Sequence, residues 1–483
     1  MRLIAKFCWL WIAISSISGG YGSAATVERP PNIVVFLVDD LGATDLGCFG
    51  STFYETPHID RLAKDGMRFT AAYSTCPVCS PTRASMMTGR YPQRSRITDY
   101  INASGANQPE QWERNTKLLP APYADRLALR ERTIAEALRE VGYATFFAGK
   151  WHLGGRGFLP TDQGFEHNQG GYNAGSPRSY FSPYHNPFLK DGPPGEHLPL
   201  RLAGETCRFI AANAERPFFA FLSFYSVHIP LQGSAELIEK YEEKAAGVPT
   251  SGPAWGRERD SDVRLIQNHP TYAAMVEVMD SAVGIVLDKL DELGLAENTL
   301  IVFTSDNGGL STKEGSPTAN VPLRAGKGWL YEGGIRVPTI IRWPGVTTPG
   351  SSSSVPIISN DYRPTFLEAA KGAPTADGPI DGISLAPLLR GEQIERRALY
   401  WHYPHYGNQG GMPGSAVRDG RWKLVEWHED GATELYDLQA DPSETQNVAE
   451  RHPDIVERLR VSLAAWRHDV GAKMPTPNSS YRP

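Results

Sequence analysis

The sequence predicts an α/β fold: a large, mostly parallel mixed sheet sandwiched by helices, then a small C-terminal antiparallel sheet with one helix. Three observations predict it. Uninterrupted apolar, β-branched runs recur, as in strands buried on both faces. Segments of helical period fall between them, giving the βαβ rhythm of a covered parallel sheet. After about residue 370 the pattern shifts to short strands joined by Asp-Gly turns.

In chain order, 32–38 (NIVVFLV) reads as the first buried strand. Thr133 and Glu136 form a capping box that opens a helix ending at Gly142. Strands follow at 143–148 and 218–224. Met275, Val278, Met279, Ala282, Val283 and Val286 recur at helical spacing, so 271–293 is an amphipathic helix. Residues 299–304 and 337–342 are further strands. Residues 371–382 (KGAPTADGPIDG) are rich in Gly, Pro and Ala and separate the two parts. Beyond them, 399–403, 416–417, 423–427 and 434–438 read as short strands, with hairpin turns at Asp419-Gly420 and Asp430-Gly431. A helix near 453–468 closes the chain.

The chain has 483 residues, enough for one large core and a smaller one. Arg2 and Lys6, the apolar run 7–14 and the small residues up to Ala25 describe a secretory signal peptide. The expected organisation is a signal peptide over 1–25, a main domain over 26–380 and a small α+β subdomain over 381–483. No later segment reads as a membrane span, so the mature protein is expected to be exported and free of the membrane. Net charge is −6, and losing Arg2 and Lys6 takes it to −8. With no basic block, that argues against a nucleic-acid partner. Cysteine numbers only five, too few for a disulfide scaffold.

The chemistry-bearing residues stand at strand ends. Asp39 and Asp40 follow the first strand, and Asp306 and Asn307 follow the strand at 299–304. In a doubly wound sheet that edge is where ligands sit. An all-oxygen set suits a hard divalent cation, and the set contains no His. Any one such Asp is more commonly a helix cap or turn residue; the joint placement favours a site. In Cys79-Ser80-Pro81-Thr82-Arg83, Ser80 suits a helix cap and Pro81 the first turn. That puts Cys79 at a helix N-terminus, where anions are favoured, with Arg83 on the same face. Lys150 and His152 directly follow the strand at 143–148, and His228 lies just past 218–224. The aromatic, Gly-rich stretch 172–184 is either a substrate wall or a self-packed surface loop. His402 and His405 either reach the pocket or pack internally.

Cys79-Ser80-Pro81-Thr82-Arg83 followed by Thr88-Gly89-Arg90 resembles the signature of the type I, formylglycine-dependent sulfatases, of alkaline-phosphatase-like fold. Thr82 occupies a position more often Ser or Ala in the family. The resemblance runs through Gly149-Lys150-Trp151-His152, Ser305 to Gly309 and Gly326-Lys327-Gly328 to Asp441-Pro442, in family order. It implies that a formylglycine-generating enzyme oxidises Cys79 to Cα-formylglycine. One hydroxyl of its hydrate attacks sulfur and expels the alcohol; the other then eliminates sulfate. It also implies a cation, Ca²⁺ rather than Mg²⁺, on Asp39, Asp40, Asp306, Asn307 and the residue 79 oxygen. Arg83 and His152 match residues that hold the diol, and Asp306 one that can take its proton. Lys150 and Lys327 match the lysines on the sulfate oxygens, and His228 the general acid, with an imidazolium suited to that role. The substrate implied is a sulfated small molecule or glycan, with specificity expected from 155–200, 229–262 and the small domain. The location implied is periplasmic or extracellular, or lysosomal in a eukaryotic host. A phosphomonoester or phosphonate hydrolase of the same superfamily is the alternative enzyme, and a sulfated-glycan binder the alternative if Cys79 is unmodified.

Overall fold

The computed structural model describes residues 29–249, 252–372 and 378–483. Residues 1–25, read from the sequence as a signal peptide, lie outside the described residues.

The main sheet has eight strands. They are β1 (Asn32–Val38), β2 (Met67–Phe69), β3 (Ala144–Gly149), β4 (His167–Gln169), β5 (Phe218–Ser223), β6 (Thr299–Ser305), β7 (Thr339–Arg342) and β8 (Ser351–Ser353). Their spatial order is β8-β2-β7-β6-β1-β5-β3-β4. Only β7 runs against the others, antiparallel to β6 and to β2. The sheet is therefore mixed and mostly parallel, as expected. The register of β1 against β6 pairs Asn32 with Thr299 and Val38 with Ser305, so the two strands end level.

Residues of β1 alternate between two cores. Val34, Phe36 and Val38 face one side, beneath the helices α1 (Pro57–Asp65), α4 (Leu198–Ala212), α5 (Ala235–Ala246) and α6 (Pro270–Glu292). Ile33, Val35 and Leu37 face the other, beneath α2 (Cys79–Thr88), α3 (Ile134–Glu140) and α7 (Tyr362–Ala369). This two-sided burial explains the uninterrupted apolar run. At the start of α3, Thr133 accepts from Glu136 N and Glu136 caps Thr133 N, the box read from the sequence. At 23 residues, α6 is long and apolar enough to cross a membrane, contrary to the expectation that no later segment is. Its apolar face, including Met275, Val283 and Leu290, is buried in the core instead.

A separate four-stranded antiparallel sheet comprises β9 (Leu399–Tyr403), β10 (Gly414–Asp419), β11 (Trp422–Trp427) and β12 (Thr433–Asp437). Helix α8 (Pro453–Asp469) covers it through Leu459, Leu463 and Trp466. Trp329 and Tyr331 of the main part share this third core, so the two parts are packed together. His402 and His405 are buried packing residues: His402 bonds Ser415 and the Lys473 carbonyl, and His405 bonds Thr98. Cys48, Cys76, Cys79 and Cys207 are free thiols.

Candidate active site

The carboxyl ends of β1, β6, β3 and β5 converge on one buried cluster. β1 ends into Asp39 and Asp40, the latter with φ 62°. Amide hydrogen bonds fix the crossing: Asp306 N donates to Val38 O, and Asp39 N to Ser226 O. From β3 the chain turns through Gly149, at φ 98°. A Cβ there would sit 1.8 Å from the Ser223 carbonyl oxygen, so glycine alone permits the turn that delivers Lys150.

Helix α2 starts at Cys79, with Val78 at the cap position and no side-chain cap. Ser80 is thus not the cap. Its hydroxyl donates to His152 O and accepts from Ile101 N, tying three segments together. Arg83, one turn on, reaches Asp306 Oδ2 at 2.9 Å and both the Lys150 carbonyl and Ser223 Oγ at 2.7 Å. Lys150 Nζ lies 2.6 Å from Asp39 Oδ2, and Lys327 Nζ 2.8 Å from Asp40 Oδ2. Asn307 Nδ2 donates to Asp40 Oδ1 at 2.8 Å. Three carboxylates thus face three fixed cations, all buried. Every site residue anticipated from the sequence is in this cluster or borders it.

His152 Nε2 meets the Ile101 carbonyl at 2.8 Å. A carbonyl only accepts, so Nε2 carries the proton and Nδ1 presents its lone pair to Cys79 Sγ, 3.4 Å away. His228 Nδ1 likewise donates to Ile229 O at 2.7 Å, leaving Nε2 at 3.7 Å from Asp40 Oδ2.

Burial governs the titration here. It draws His152 well below its ordinary value, with help from the positive charge of Lys150. Burial, then Lys327, draws His228 down to about 3 against the pull of Asp40. Burial thus favours the neutral imidazole at His228. Burial also pushes the Cys79 thiol up despite Lys150 and Lys327, so it is no ready thiolate. Burial raises Asp39 in spite of Lys150. It would raise Asp40 too, but the ammonium groups of Lys327 and Lys150 outweigh it and hold that carboxyl low.

Among the described residues, two overlapping sets each bring their donor atoms within 4.8 Å of one another: Asp39, Cys79 and Asp306, and Asp39, Asp40 and His228. Asp39 Oδ1 and Asn307 Oδ1 are buried and receive no hydrogen bond. Buried acceptors left open beside carboxylates suit a hard divalent cation, so this is a possible acidic metal site. The second set differs from the sequence reading by including a His, yet Lys327 already occupies the Asp40 oxygen that His228 faces.

A cavity of about 360 Å³ opens above the cluster. Cys79, His152, His228 and Lys327 line its lower part, and Tyr100, Asn102, Glu314 and Asn408 its upper part. Of the expected specificity segments, 155–200 contributes Gly175 and Ser176 and the small domain contributes Asn408 and Gln409, whereas no described residue of 229–262 lines the cavity. Tyr100, Asn102 and Glu314 were not anticipated, because they carry no motif and arrive from separate loops. In the stretch 172–184, Tyr180 and Tyr184 are buried. The Tyr180 hydroxyl is held by the Tyr225 and His228 carbonyls, so its ring packs inward rather than walling a ligand.

The family description Sulfatase matches residues 31–373, and the description N-sulphoglucosamine sulphohydrolase, C-terminal, matches 325–469. A sulfatase of Formosa agariphila is 30% identical, over 96% of this chain and 94% of its own. Arylsulfatase A of Homo sapiens is 32% identical, over 90% of this chain and 87% of its own. The solved structure of Ps i-CgsB in complex with k-i-k-neocarrahexaose superposes with a TM-score of 0.73 at 29% identity, covering 91% of this chain and 93% of that one. The chain belongs to the sulfatase family and is a sulfuric ester hydrolase of alkaline-phosphatase-like fold.

Proposed function

We propose that this protein is an exported sulfatase that hydrolyses a sulfate ester of a carbohydrate, using Cα-formylglycine formed from Cys79 and a bound calcium ion. The observation that carries the reading is the floor of the pocket. Residue 79 stands at the first turn of α2, among three carboxylates and three fixed cations. Asp39, Asp40, Asp306 and Asn307 would hold the cation, with an oxygen from residue 79. When bound, the cation and the formylglycine hydrate together supply an acidified hydroxyl nucleophile and neutralise sulfate oxygens.

The chain's own residues do the rest. Cys79 Sγ marks where the hydrate oxygens would stand, and His152 Nδ1 at 3.4 Å is a ready acceptor for a hydroxyl proton there. Arg83 stays locked to Asp306 and orients it. With a cation held on Asp39 and Asp40, Lys150 and Lys327 would give up those carboxylates and turn their ammonium groups to sulfate oxygens. His228 Nε2 faces the pocket, and the negative charge of a bound sulfate favours its protonated form, which a general acid for the leaving oxygen needs. Similarity to a structure holding k-i-k-neocarrahexaose supports a carbohydrate substrate. The residues at 7–25 support export.

The test is twofold. The peptide containing residue 79 is weighed, and sulfate release is measured over a panel of sulfated mono- and oligosaccharides. An aldehyde or hydrate mass with release from at least one sugar is expected. A plain thiol in fully active enzyme would overturn the formylglycine assignment, and phosphate-ester turnover exceeding sulfate release would favour the phosphohydrolase alternative.

A further inference from the structure

The pocket changes character from floor to mouth. Cys79, His152 and Lys327 are buried, whereas Glu314 and Asn408 are exposed. Glu314 is nonetheless held in place. Its Oε2 accepts from Gln409 Nε2 at 2.6 Å, and Gln409 is only 5% exposed. The Gln409 carbonyl in turn accepts from Thr312 Oγ1 at 2.8 Å and Trp329 Nε1 at 3.1 Å. The turn bearing Glu314 has positive φ at Lys313 (51°), Glu314 (47°) and Ser316 (41°). Left-handed backbone at three non-glycine residues persists only where the surroundings enforce it, and such strain gathers at ligand clamps. Beside it, Asn408 Nδ2 donates to the Tyr100 hydroxyl at 3.1 Å.

A sugar whose sulfate reaches the cationic floor must present its ring substituents to this rim. There a fixed carboxylate accepts from a hydroxyl or an ammonium and repels a second anion. At 360 Å³ the cavity is near the small end of ligand sites, so about one sugar ring enters it.

We propose that Glu314, positioned by Gln409, is a specificity-determining residue that admits a saccharide bearing one sulfate, with a hydroxyl or ammonium toward the rim, and discriminates against a second sulfate or a carboxylate there. The proposal rests on the carbohydrate-sulfatase reading above.

The test is calorimetric binding to the full chain carrying Cys79→Ala, which cannot turn substrate over, in calcium buffer. The probes are the 6-sulfates of galactose, glucose and glucosamine, each beside a counterpart with one further sulfate. The monosulfate is expected to bind about tenfold tighter than its disulfated counterpart, the scale of a like-charge contact near a protein surface. Glu314→Gln should narrow that ratio several-fold, and Gln409→Ala should narrow it partly by releasing the carboxylate. An unchanged ratio in Glu314→Gln, or no binding by any probe, overturns the proposal. Sulfate release by the Cys79 protein on the same sugars reads the underlying function separately. Release with an unaltered ratio sinks only the role of Glu314. A shifted ratio without release from any sugar sinks only the hydrolytic reading.

Discussion

Lys150 and Asp39 form the most enclosed ion pair of the site, with both side chains wholly buried. Removing one partner strands the other charge in a dry environment. Lys150→Met keeps the volume but leaves Asp39 with only Arg83, at 3.8 Å. A loss of about 3–5 kcal/mol is expected in chelator by urea unfolding. Calcium should recover part of it, because a cation on Asp39 replaces the lost charge; equal destabilisation with and without calcium would contradict that. Cys79→Ala removes only a small buried side chain, so the urea midpoint should hold nearly steady while sulfate release disappears. Turnover surviving in that variant would remove residue 79 from the chemistry. At this scale the sequence was legible wherever a residue sat in a short contiguous motif, as Cys79, Arg83, Lys150 and His152 do. Glu314, Gln409 and Tyr100 were not, since their meeting depends on three loops closing over one another and no spacing along the chain encodes that.

Among the elements, the strands with two buried faces were the plainest to read, and β1 runs over Asn32–Val38 as expected. Strands β2 and β8, at three residues each, are too short to show a period. The reversal of β7 is equally invisible in its composition, because strand direction depends on the connection rather than on side chains. Ser80 was misplaced as a cap because the same hydroxyl is recruited by His152 O, a tertiary partner that overrides the local preference. For α3, Thr133→Ala loses both the cap and the bond to Gln163 O, and should cost about 1–2 kcal/mol in urea unfolding. In β9, burial draws His402 down to about 3 from its ordinary 6.5. The unfolded chain takes up that proton as pH falls below 6.5 and the folded one does not until about 3. The contribution of His402 is thus complete above 6.5 and is lost as pH falls through that window. His402→Gln should flatten the pH dependence of stability between about pH 6 and 4 by up to roughly 1.4 kcal/mol per unit. An unaltered slope would show that His402 is not buried neutral.

For the molecule as a whole, the cation and the fold are expected to be linked. A cation that binds only the native cluster raises stability with the logarithm of its concentration. The melting temperature should therefore climb with added calcium and fall on chelation, together with loss of sulfate release. A melting temperature indifferent to calcium would argue against the oxygen cluster as its site. The two parts of the chain meet through polar as well as apolar contacts. Lys423 of β11, wholly buried, bridges Glu332 at 3.0 Å and Glu444 at 2.8 Å. Asn408 and Gln409, in the loop after β9, reach the mouth of the pocket from that side. The floor belongs to the main sheet, then, and part of the rim to the C-terminal sheet. The floor draws on the main part alone, whereas the rim draws on both parts, with Tyr100 and Glu314 from one and Asn408 and Gln409 from the other. Descent with modification of the C-terminal part could retune the mouth while leaving the floor intact, and a chimera carrying a relative's C-terminal sheet would keep Glu314 and so inherit only part of that relative's preferences.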